Sequence, residues 1–587
     1  MVAIFYFISL IAFYLDIGQN MGSYWTASLL PMIAGLTLIQ VVSDSSIFSK
    51  IMLPDLICGL GWCSAFPILY TWTYQKPWFM SLIYYDFIVG TAIFLLLVSL
   101  KLILLSTSKK LAASIVTALN FAFLLIPFIE YTYYCMVWHC LSPASLMALY
   151  LTNWNESIDF IRGSIGDLNV AIILLVIGFL LKKAFNVHLQ FANQVKQLTT
   201  SKKLAAWTVL IASIAALIYY VPQTSIAGLW KDVTNYVAET QLYEVNHSER
   251  VADLNVDSTQ TLAAKSTGTI IIVIGESASR SYMKAFNKNF QFDNTPWLDE
   301  KVNINENFII YPHAYSSWSQ TVPVLQRALT EQSQYNTKEF YNSTSIIDTA
   351  KKAGYKTYWF SNQGRYGQFD SAITIVAKTA DVAEWTDDAY DFSDKYDSAL
   401  LPYLEKVDGS QNNFIVLHLM GSHIYYNSRY PREFKRWTTD DGTGMATAAP
   451  SYANTILYTD YILSQIYDYA SKNLNLQAMV YFSDHGENLK ISHNPDVFSF
   501  DMVRIPMFIY LSPEYREKLP ERAQALQIHG SEYFTNDMLY DTVCGMINAP
   551  SNHYEVKQDF SSDNYAFTRQ NLTTMLGQHS LLEDKND

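Results

Sequence analysis

The sequence predicts a bundle of membrane-spanning α-helices followed by an α/β domain with a mostly parallel sheet. Two observations support this fold class. Long apolar runs crowd the first 221 of the 587 residues, and from residue 266 onward short apolar strand patterns alternate with helical ones. Such alternation is typical of a parallel sheet covered by helices. We therefore predict a transmembrane helical domain at 1–221, a connector at 222–265 and an α/β domain at 266–587.

The amino-terminal part contains seven apolar runs, at 4–17, 24–43, 51–72, 81–106, 111–138, 168–184 and 205–221. Most are long enough to cross a hydrocarbon core of roughly 30 Å, which takes about 20 helical residues. The first run is the shortest and ends at Asp16. The sequence therefore leaves open whether five or seven helices span the membrane.

Lysine placement predicts the orientation of these spans. The loops at 44–50, 101–110 and 182–204 hold every lysine of this part except Lys76, and the alternate loops add only Arg162. Loops rich in Lys and Arg stay in the cytoplasm. We therefore expect everything after the last run to lie outside the cytoplasmic membrane, and the polar connector to form an amphipathic helix along its surface.

Charge is distributed unevenly along the chain. Residues 1–221 contain 11 Lys and Arg against 8 Asp and Glu, and the remainder contains 29 against 45. This acidic balance argues against a nucleic-acid partner, because phosphate backbones require a basic surface. Asp55, Asp86 and Glu130 fall within or near apolar runs. Such groups are functional candidates, but we favour the interpretation that each reaches the interface from a helix end.

Strand patterns in the α/β domain lie at 269–275, 307–311, 355–360, 413–420, 478–483 and 505–511. Helical patterns lie at 322–331, 344–353, 396–406, 451–472 and 535–547. Open α/β sheets bind their ligands at the carboxyl ends of the strands. Side chains that directly follow these strands are therefore the first candidates for a functional site.

Two strand patterns end in side chains that bind metals. Glu276 follows the run Thr269–Gly275, and Asp484 with His485 follows Val480–Ser483. Either acid alone is compatible with a simple strand-end turn, but two strands of the same design predict one shared site. Glu, Asp and His supply oxygen and nitrogen ligands that suit Zn²⁺ best, with Mn²⁺ or Mg²⁺ as alternatives.

Thr321 is the hydroxyl candidate for chemistry at this site. It lies just ahead of Pro323, where a serine-rich stretch runs into a helical pattern. The N–H groups and the dipole of a helix start favour a phosphoryl group, although a threonine there is also a common helix cap. Ser277 follows Glu276 directly, and we expect their side chains to point in different directions.

Two histidines are candidates for the same site and a third is not. His423 follows the strand pattern at 413–420 in a Gly-Ser-His turn, and His493 lies eight residues after His485. His418 lies within the apolar run, so we expect it to be a core histidine. The alternative for His493 is a solvated loop side chain.

The order of these motifs resembles that of the phosphoethanolamine transferases, inner-membrane members of the alkaline phosphatase and sulfatase superfamily. The motifs are Gly-Glu-Ser-x-x-Arg from Gly275, Thr-Val-Pro from Thr321, Gly-Ser-His from Gly421 and Ser-Asp-His-Gly-Glu from Ser483. The Thr-Val-Pro-Val-Leu-Gln wording, and Arg-Tyr-Pro from Arg429, look more like the branch acting on lipopolysaccharide core heptose than the lipid A branch. Lipid A enzymes carry several disulfides in the soluble domain, whereas this chain has one cysteine after residue 221.

The resemblance implies an alkaline phosphatase/sulfatase-like α/β domain in the periplasm, carried by a multi-pass protein of the bacterial inner membrane. It implies transfer of phosphoethanolamine from phosphatidylethanolamine to a lipopolysaccharide or lipooligosaccharide acceptor, at core heptose or lipid A, through a covalent threonine intermediate. Residue by residue, it implies that Glu276, Thr321, Asp484 and His485 bind Zn²⁺, with Thr321 as the nucleophile. His423 and His493 match positions that hold the phosphoethanolamine group or a second zinc, and Asn362, Gln363 and Arg365 fall in a stretch of substrate contacts.

A phosphoglycerol transferase acting on an envelope glycan or on lipoteichoic acid is the alternative on the same scaffold. A sulfatase is disfavoured, because it needs Cys or Ser followed by x-Pro-x-Arg, and the stretch Thr321–Leu325 lacks this pattern. A membrane-tethered binding module that lost its metal is the non-enzymatic alternative, and the full set of ligand types disfavours it. The sequence leaves the acceptor, the number of zinc ions and the oligomeric state open.

Overall fold

The computed structural model describes residues 22–586, except 75–79, 105–107, 142–144, 148–149, 151, 153–156, 159–161, 163–165, 196–197, 364–371, 387–395 and 439–447. The chain divides into two compact units. One comprises Met1–Leu146 and Ile165–Val233, and the other comprises Met147–Ser164 and Thr234–Asp587. The division falls inside one helix, Ser225–Val245, which lies within the predicted connector.

The first unit is built from helices α1 Gly22–Ser43, α2 Leu53–Tyr74, α3 Met80–Leu104, α4 Lys109–Val137, α5 Asp167–Gln194 and α6 Thr200–Tyr220. Five stretches of the described residues are long and apolar enough to cross a membrane: Lys50–Tyr70, Tyr85–Leu104, Lys109–Val137, Asp167–Gln194 and Thr200–Gln223. The run at 24–43 forms α1, whose apolar part Pro31–Ser43 is shorter than these spans. The run at 4–17 lies outside the described residues.

Asp55 lies in the first turn of α2, near a helix end as expected, but its side chain is paired inside the first unit. Its carboxylate forms an ion pair with Lys101 and accepts a hydrogen bond from Asn120 Nδ2 at 3.0 Å, and the side chain is fully buried. A charge in an apolar bundle is tolerated when it is paired. These contacts tie α2, α3 and α4 together. Asp86 and Glu130 are buried as well.

Three helices, rather than one, occupy the predicted connector: α7 Ser225–Val245, α8 His247–Asp253 and α9 Leu262–Lys265. The end of α7 packs into the second unit, where the Tyr243 ring stacks on Phe340 with centroids 4.3 Å apart. Arg250 on α8 donates to the carbonyl of Tyr341 at 2.7 Å. The later half of the connector is therefore part of the α/β unit.

The second unit is organised by a seven-stranded sheet with the order β2-β8-β7-β1-β6-β4-β5. The chain forms β1 Thr269–Gly275, β2 Phe308–Ile310, β3 Ala314–Tyr315, β4 Lys356–Ser361, β5 Val382–Trp385, β6 Asn413–His418, β7 Leu476–Ser483, β8 Met507–Leu511, β9 Phe534–Thr535, β10 Thr573–Thr574 and β11 His579–Ser580. Strands β7, β1, β6, β4 and β5 are parallel, and β8 pairs antiparallel with both β7 and β2. The sheet is thus mostly parallel.

Helices cover both faces of this sheet. They are α10 Pro296–Ile304, α11 Thr321–Ala328, α12 Ile346–Lys352, α13 Ala372–Lys378, α14 Leu401–Leu404, α15 Ala448–Asn473, α16 Pro513–Lys518, α17 Pro520–Ile528 and α18 Leu539–Met546. Alternate residues of β1 enter two separate cores, Ile270 and Ile272 in one, and Ile271 and Val273 in the other. Burial on both faces explains why β1 is an unbroken apolar run.

The strand register brings the predicted site residues to one edge of the sheet. Gly275 of β1 lies opposite Ser483 of β7, and Ile274 lies opposite His418 of β6. The residues that follow these three strands therefore emerge side by side. This arrangement places Glu276 next to the Asp-His turn and next to the Gly-Ser-His turn.

Candidate active site

Glu276, Asp484 and His485 form the centre of the candidate site. Their ligand atoms lie within 4.8 Å of one another, and all three side chains are buried. Two carboxylates and one imidazole of this kind form a typical set of zinc ligands. The structure thus brings together three of the residues that the strand-end motifs predict.

His485 is oriented so that one ring nitrogen is available as a ligand. Its Nδ1 lies 2.7 Å from the carbonyl oxygen of Gly486, and because a carbonyl only accepts, Nδ1 carries the hydrogen. Nε2 lies 3.4 Å from Glu276 Oε1 and 3.5 Å from Asp484 Oδ2, and once deprotonated it would offer its lone pair to a metal ion bound there. A backbone contact that fixes the tautomer in this way is usual for a metal-binding histidine.

The two carboxylate oxygens of Asp484 have different roles: one binds the backbone and the other faces the site. Oδ1 accepts hydrogen bonds from the backbone N–H of Ser277 at 3.1 Å and of His485 at 2.7 Å. Oδ2 is buried and has no hydrogen-bond partner among the residues that the structure describes. A bound cation would satisfy this oxygen, so the residues fit a metal ion.

The charges in the cluster are strongly coupled. Burial raises the pKa of Asp484 to about 8, and the negative charge of Glu276 adds to the effect. Burial alone would lower the pKa of His485, but the two carboxylates raise it to about 10. Burial also acts to raise the pKa of Glu276, yet the hydrogen bond and charge of His485 hold it well below its usual range. Two buried acids so close together favour a compensating cation.

Thr321 is the first residue of α11, and Gln320 before it is extended. Thr321 Oγ1 donates to Glu276 Oε2 at 3.1 Å, and the side chain is half-buried. The helix start therefore brings a hydroxyl, free N–H groups and a positive dipole end to the cluster. This is the placement that favours a phosphoryl group.

Gln363 contacts the cluster, whereas Asn362 supports it from behind. Gln363 Nε2 donates to Glu276 Oε2 at 2.8 Å and to the carbonyl of Leu419 at 2.9 Å. Asn362 Nδ2 donates instead to Asp397 Oδ1 at 2.8 Å. Arg365 lies outside the described residues.

The histidines have different environments. His493 Nδ1 donates to Glu487 Oε2 at 2.6 Å, and its ring centroid lies 4.6 Å from that of His485. His423 has a buried Nδ1 without a hydrogen-bond partner in the described part of the chain, and burial lowers its pKa to about 4. His418 is fully enclosed at the end of β6, and burial lowers its pKa to about 4 as well.

Ser277 does not point away from Glu276 as expected. Its backbone is left-handed, with φ of 54°, and Oγ donates to Glu276 Oε1 at 2.6 Å. The left-handed turn breaks the alternation on which the expectation relied. Close packing continues at Gly421, with φ of +48°, where a Cβ would lie 2.9 Å from the backbone N and O of Glu276.

Three supporting residues were missed by sequence reasoning. Asp397 accepts from the backbone N–H of Met420 at 2.7 Å and of Gly421 at 2.9 Å. Asn536 Nδ2 donates to the Asp484 carbonyl at 2.7 Å, and its Oδ1 accepts from the backbone N–H of Ser317 at 3.0 Å. The Tyr452 hydroxyl donates to the Ser277 carbonyl at 2.7 Å. None of the three belongs to a sequence motif. The one pattern that could have drawn attention to any of them is the position of Asp397, an acid at the start of the predicted helix at 396–406.

Residues 268–543 match the sulfatase family model, so this segment is a sulfatase-family domain. Phosphoethanolamine transferase EptC of Escherichia coli K12 is 28% identical over 270 residues, covering 43% of this chain and 46% of that protein. Phosphoethanolamine transferase OpgE of the same strain is 32% identical over 251 residues, covering 41% and 44%. The chain thus matches less than half the length of each relative. The resemblance to the phosphoethanolamine transferases is confirmed.

A solved membrane protein shares the fold of nearly the whole chain. The integral membrane protein lipooligosaccharide phosphoethanolamine transferase A (EptA) from Neisseria meningitidis is 18% identical, with a TM-score of 0.56, covering 87% of this chain and 97% of that one. The predicted fold class, apolar helices followed by an alkaline phosphatase-like domain with a mostly parallel sheet, is therefore confirmed. The five apolar helices of this chain that are long enough to cross a membrane support the prediction of a membrane protein.

Proposed function

We propose that this chain is a phosphoethanolamine transferase of the bacterial inner membrane, with its α/β domain in the periplasm. It moves phosphoethanolamine from phosphatidylethanolamine to a lipopolysaccharide or lipooligosaccharide acceptor. The main observation behind this proposal is the position of Thr321 Oγ1. It lies at a helix start, 3.1 Å from Glu276 Oε2, which is one of three clustered metal-ligand side chains. The names of the relatives EptC and OpgE support the same activity.

Glu276, Asp484 and His485 would hold the metal, which we propose to be Zn²⁺ in preference to Mn²⁺ or Mg²⁺. When bound, the metal supplies Lewis acidity, which lowers the pKa of a nearby hydroxyl and neutralises charge on a phosphoryl group. Ser277 and Gln363 hold the Glu276 carboxylate from opposite oxygens, at 2.6 Å and 2.8 Å. The chain therefore fixes the ligand before any substrate arrives.

In the first half-reaction Thr321 Oγ1 attacks the phosphorus of phosphatidylethanolamine. A bond forms between Oγ1 and phosphorus, and the bond from phosphorus to the glycerol oxygen breaks. The hydroxyl of Thr321, which donates to Glu276 Oε2 in the free site, gives its proton to solvent, and the leaving oxygen of diacylglycerol gains one proton. We assign that proton to His493, which is held by Glu487 at 2.6 Å, because an imidazole near the site can act as a general acid.

In the second half-reaction an acceptor oxygen attacks the phosphorus of phosphoethanolamine-threonine. The Oγ1–phosphorus bond breaks, Thr321 regains a proton from solvent, and the acceptor gives its proton to His493, which restores the histidine for the next cycle. The N–H groups at the start of α11 stabilise the charge on the phosphoryl oxygens in both steps. One threonine thus serves first as nucleophile and then as leaving group.

Incubation of the full chain with phosphatidylethanolamine alone tests the mechanism. Diacylglycerol should be released, and peptide mapping should find the mass of phosphoethanolamine on the peptide that contains Thr321. Thr321→Ala should abolish both, by more than about 1,000-fold in rate, because the nucleophile itself is removed. Ser319→Ala, a buried hydroxyl in the same loop, is the matched control and should keep activity.

Three results would contradict the proposal. Mass on Ser277, or full activity of Thr321→Ala, would exclude Thr321 as the nucleophile. If phosphatidylglycerol is the donor and glycerol phosphate is the added mass, the phosphoglycerol transferase alternative holds.

A further inference from the structure

A row of aromatic rings leads away from the candidate site within the second unit. Tyr282 lies beside Tyr452, with ring centroids 5.7 Å apart. From Tyr282 the row continues to Phe290 at 5.9 Å, then to Phe292 at 5.5 Å and to Trp437 at 5.1 Å. Tyr282, Phe290, Phe292 and Trp437 are all partly exposed. The row therefore offers four neighbouring rings that solvent reaches in part.

Exposed cations accompany the far end of this row. Segment 429–437 contains four Lys and Arg against one Glu, within a part of the chain where acids outnumber bases 45 to 29. Arg432, Lys435 and Arg436 are exposed. Within the described ranges, their charged groups have no ion-pair or hydrogen-bond partner. A local excess of unpaired positive charge on an acidic domain marks a surface for an anion.

The segment is fixed to the same helix that supports the candidate site. Asn454 Oδ1 accepts from the backbone N–H of Arg436 at 3.0 Å and of Trp437 at 3.1 Å. One half-turn earlier on α15, the Tyr452 hydroxyl donates to the carbonyl of Ser277, next to Glu276, at 2.7 Å. The cations and the site are thus held by neighbouring residues of one helix. We call Tyr282, Phe290, Phe292, Trp437, Arg432, Lys435 and Arg436 the aromatic–basic strip.

We propose that the aromatic–basic strip binds the phosphorylated saccharide of the acceptor. Ring faces pack against the apolar faces of sugar rings, and Arg and Lys bind phosphate oxygens. The headgroup of the donor is zwitterionic and carries no net charge, so these cations favour an anionic saccharide over it. An acceptor that reaches the Thr321 adduct must also extend over the surface beside it. This inference rests on the proposed transferase function and names its acceptor class.

Charge reversal tests the proposal on the full chain in detergent. The variant combines Arg432→Glu, Lys435→Glu and Arg436→Glu. The probe is core oligosaccharide released from lipooligosaccharide by mild acid, used before and after dephosphorylation with aqueous hydrofluoric acid. The wild type should bind the phosphorylated probe at least about tenfold more tightly than the dephosphorylated one. The variant should lose this preference. Trp437→Ala should weaken binding of both probes.

The matched control reverses three exposed lysines outside the strip, Lys352, Lys472 and Lys557, with the same change in net charge. It should retain the wild-type preference for phosphorylated probe. Equal preference in the wild type and the strip variant would overturn the proposal. So would an equal loss of preference in the control, because the effect would then belong to net charge.

Diacylglycerol release from phosphatidylethanolamine separates this inference from the proposed function. The strip variant should release diacylglycerol at the wild-type rate, because the donor step does not use the strip. The variant alone could lose diacylglycerol release in vesicles that contain anionic lipid and recover it in vesicles without anionic lipid. This result would mean that the strip binds the membrane surface, and the proposal would fall. No release by the wild type would refute the transferase function itself.

Discussion

Asp484 joins two functions at the scale of a single residue. Oδ1 holds the Ser277 turn through a backbone hydrogen bond, and Oδ2 is free for a cation. Asp484→Ala should therefore weaken zinc binding by more than about 100-fold, since even outer-shell changes cost about 10–100-fold. Elemental analysis of purified variant, with a competing chelator titration, measures the loss. Full zinc occupancy in this variant would count against the assignment.

His423→Ala provides the comparison for this measurement. We expect His423 to serve the transferred group rather than the metal, so the variant should lose turnover and keep most of its zinc. If His423→Ala loses zinc as completely as Asp484→Ala, then His423 is a ligand and its role here is wrong.

His418 should make stability depend on pH. Burial lowers its folded pKa to about 4 from an ordinary value of 6.5, so the unfolded chain binds more protons between these values. Stability from this group is complete above pH 6.5 and is lost as the pH falls toward 4, by at most about 3 kcal/mol. Between pH 6.5 and 4.5, the melting temperature of His418→Gln should fall less than that of the wild type. Parallel pH profiles would refute the expectation.

The site residues that could be predicted are those that end apolar strands. Glu276 and Asp484 each follow a strand of unmistakable pattern, and parallel strands share one edge. Asp397 and Asn536 were beyond prediction, because their contacts join segments far apart in the chain. Ser277 was misjudged because a left-handed turn depends on local packing rather than on strand alternation. Local pattern thus indicates ligands, while their supports depend on tertiary structure.

At the scale of elements, the carboxyl-terminal segment braces the turn behind the site. Asp584 is buried, accepts from Arg504 Nε and from the Tyr315 hydroxyl, each at 2.8 Å, and pairs with Arg504. Asp584→Asn should destabilise the second unit by about 2–3 kcal/mol, because a buried charge loses its partner. Glu583→Gln, next in the chain but exposed, removes the charge that pairs with His579 and can still accept from the Ser580 N–H, so it should cost about 0.5 kcal/mol. Thermal melting of both variants compares the two costs.

The elements that sequence predicted are those with a strong apolar period. The six predicted strands are all present, while β5 Val382–Trp385 was missed because all four of its residues are only partly buried. Helices α10, α16 and α17 were missed because few of their residues are buried: Leu298 in α10, Tyr515 in α16, and Ala523, Ala525 and Leu526 in α17. Helix α13 was missed as well. The pattern at 396–406 becomes a 3₁₀ turn Asp397–Leu400 followed by α14. Short or half-buried elements carry too few apolar positions to show a period.

At the scale of the whole molecule, two solvents, lipid and water, explain the different compositions of the two halves of the chain. Helix α5 has an apolar surface that is largely exposed, as expected of a helix that faces lipid. The second unit instead buries its apolar strands and carries the excess of acidic residues. The lipid donor that we propose would use both halves, because its head would have to reach Thr321 while its acyl chains stay in the bilayer.

The topology of the molecule is the last prediction. Lysine-rich loops at 101–110 and 182–204 should stay in the cytoplasm, which places the chain after α6 on the opposite side. An alkaline phosphatase reporter is active only outside the cytoplasm, so it should be active after residue 587 and inactive in truncated fusions after Lys110 or Lys203. A green fluorescent protein fused at the same three points should show the reverse pattern. A fluorescent fusion at residue 587 with an inactive phosphatase there would place Thr321 in the cytoplasm, away from any envelope acceptor, and would end the proposed function.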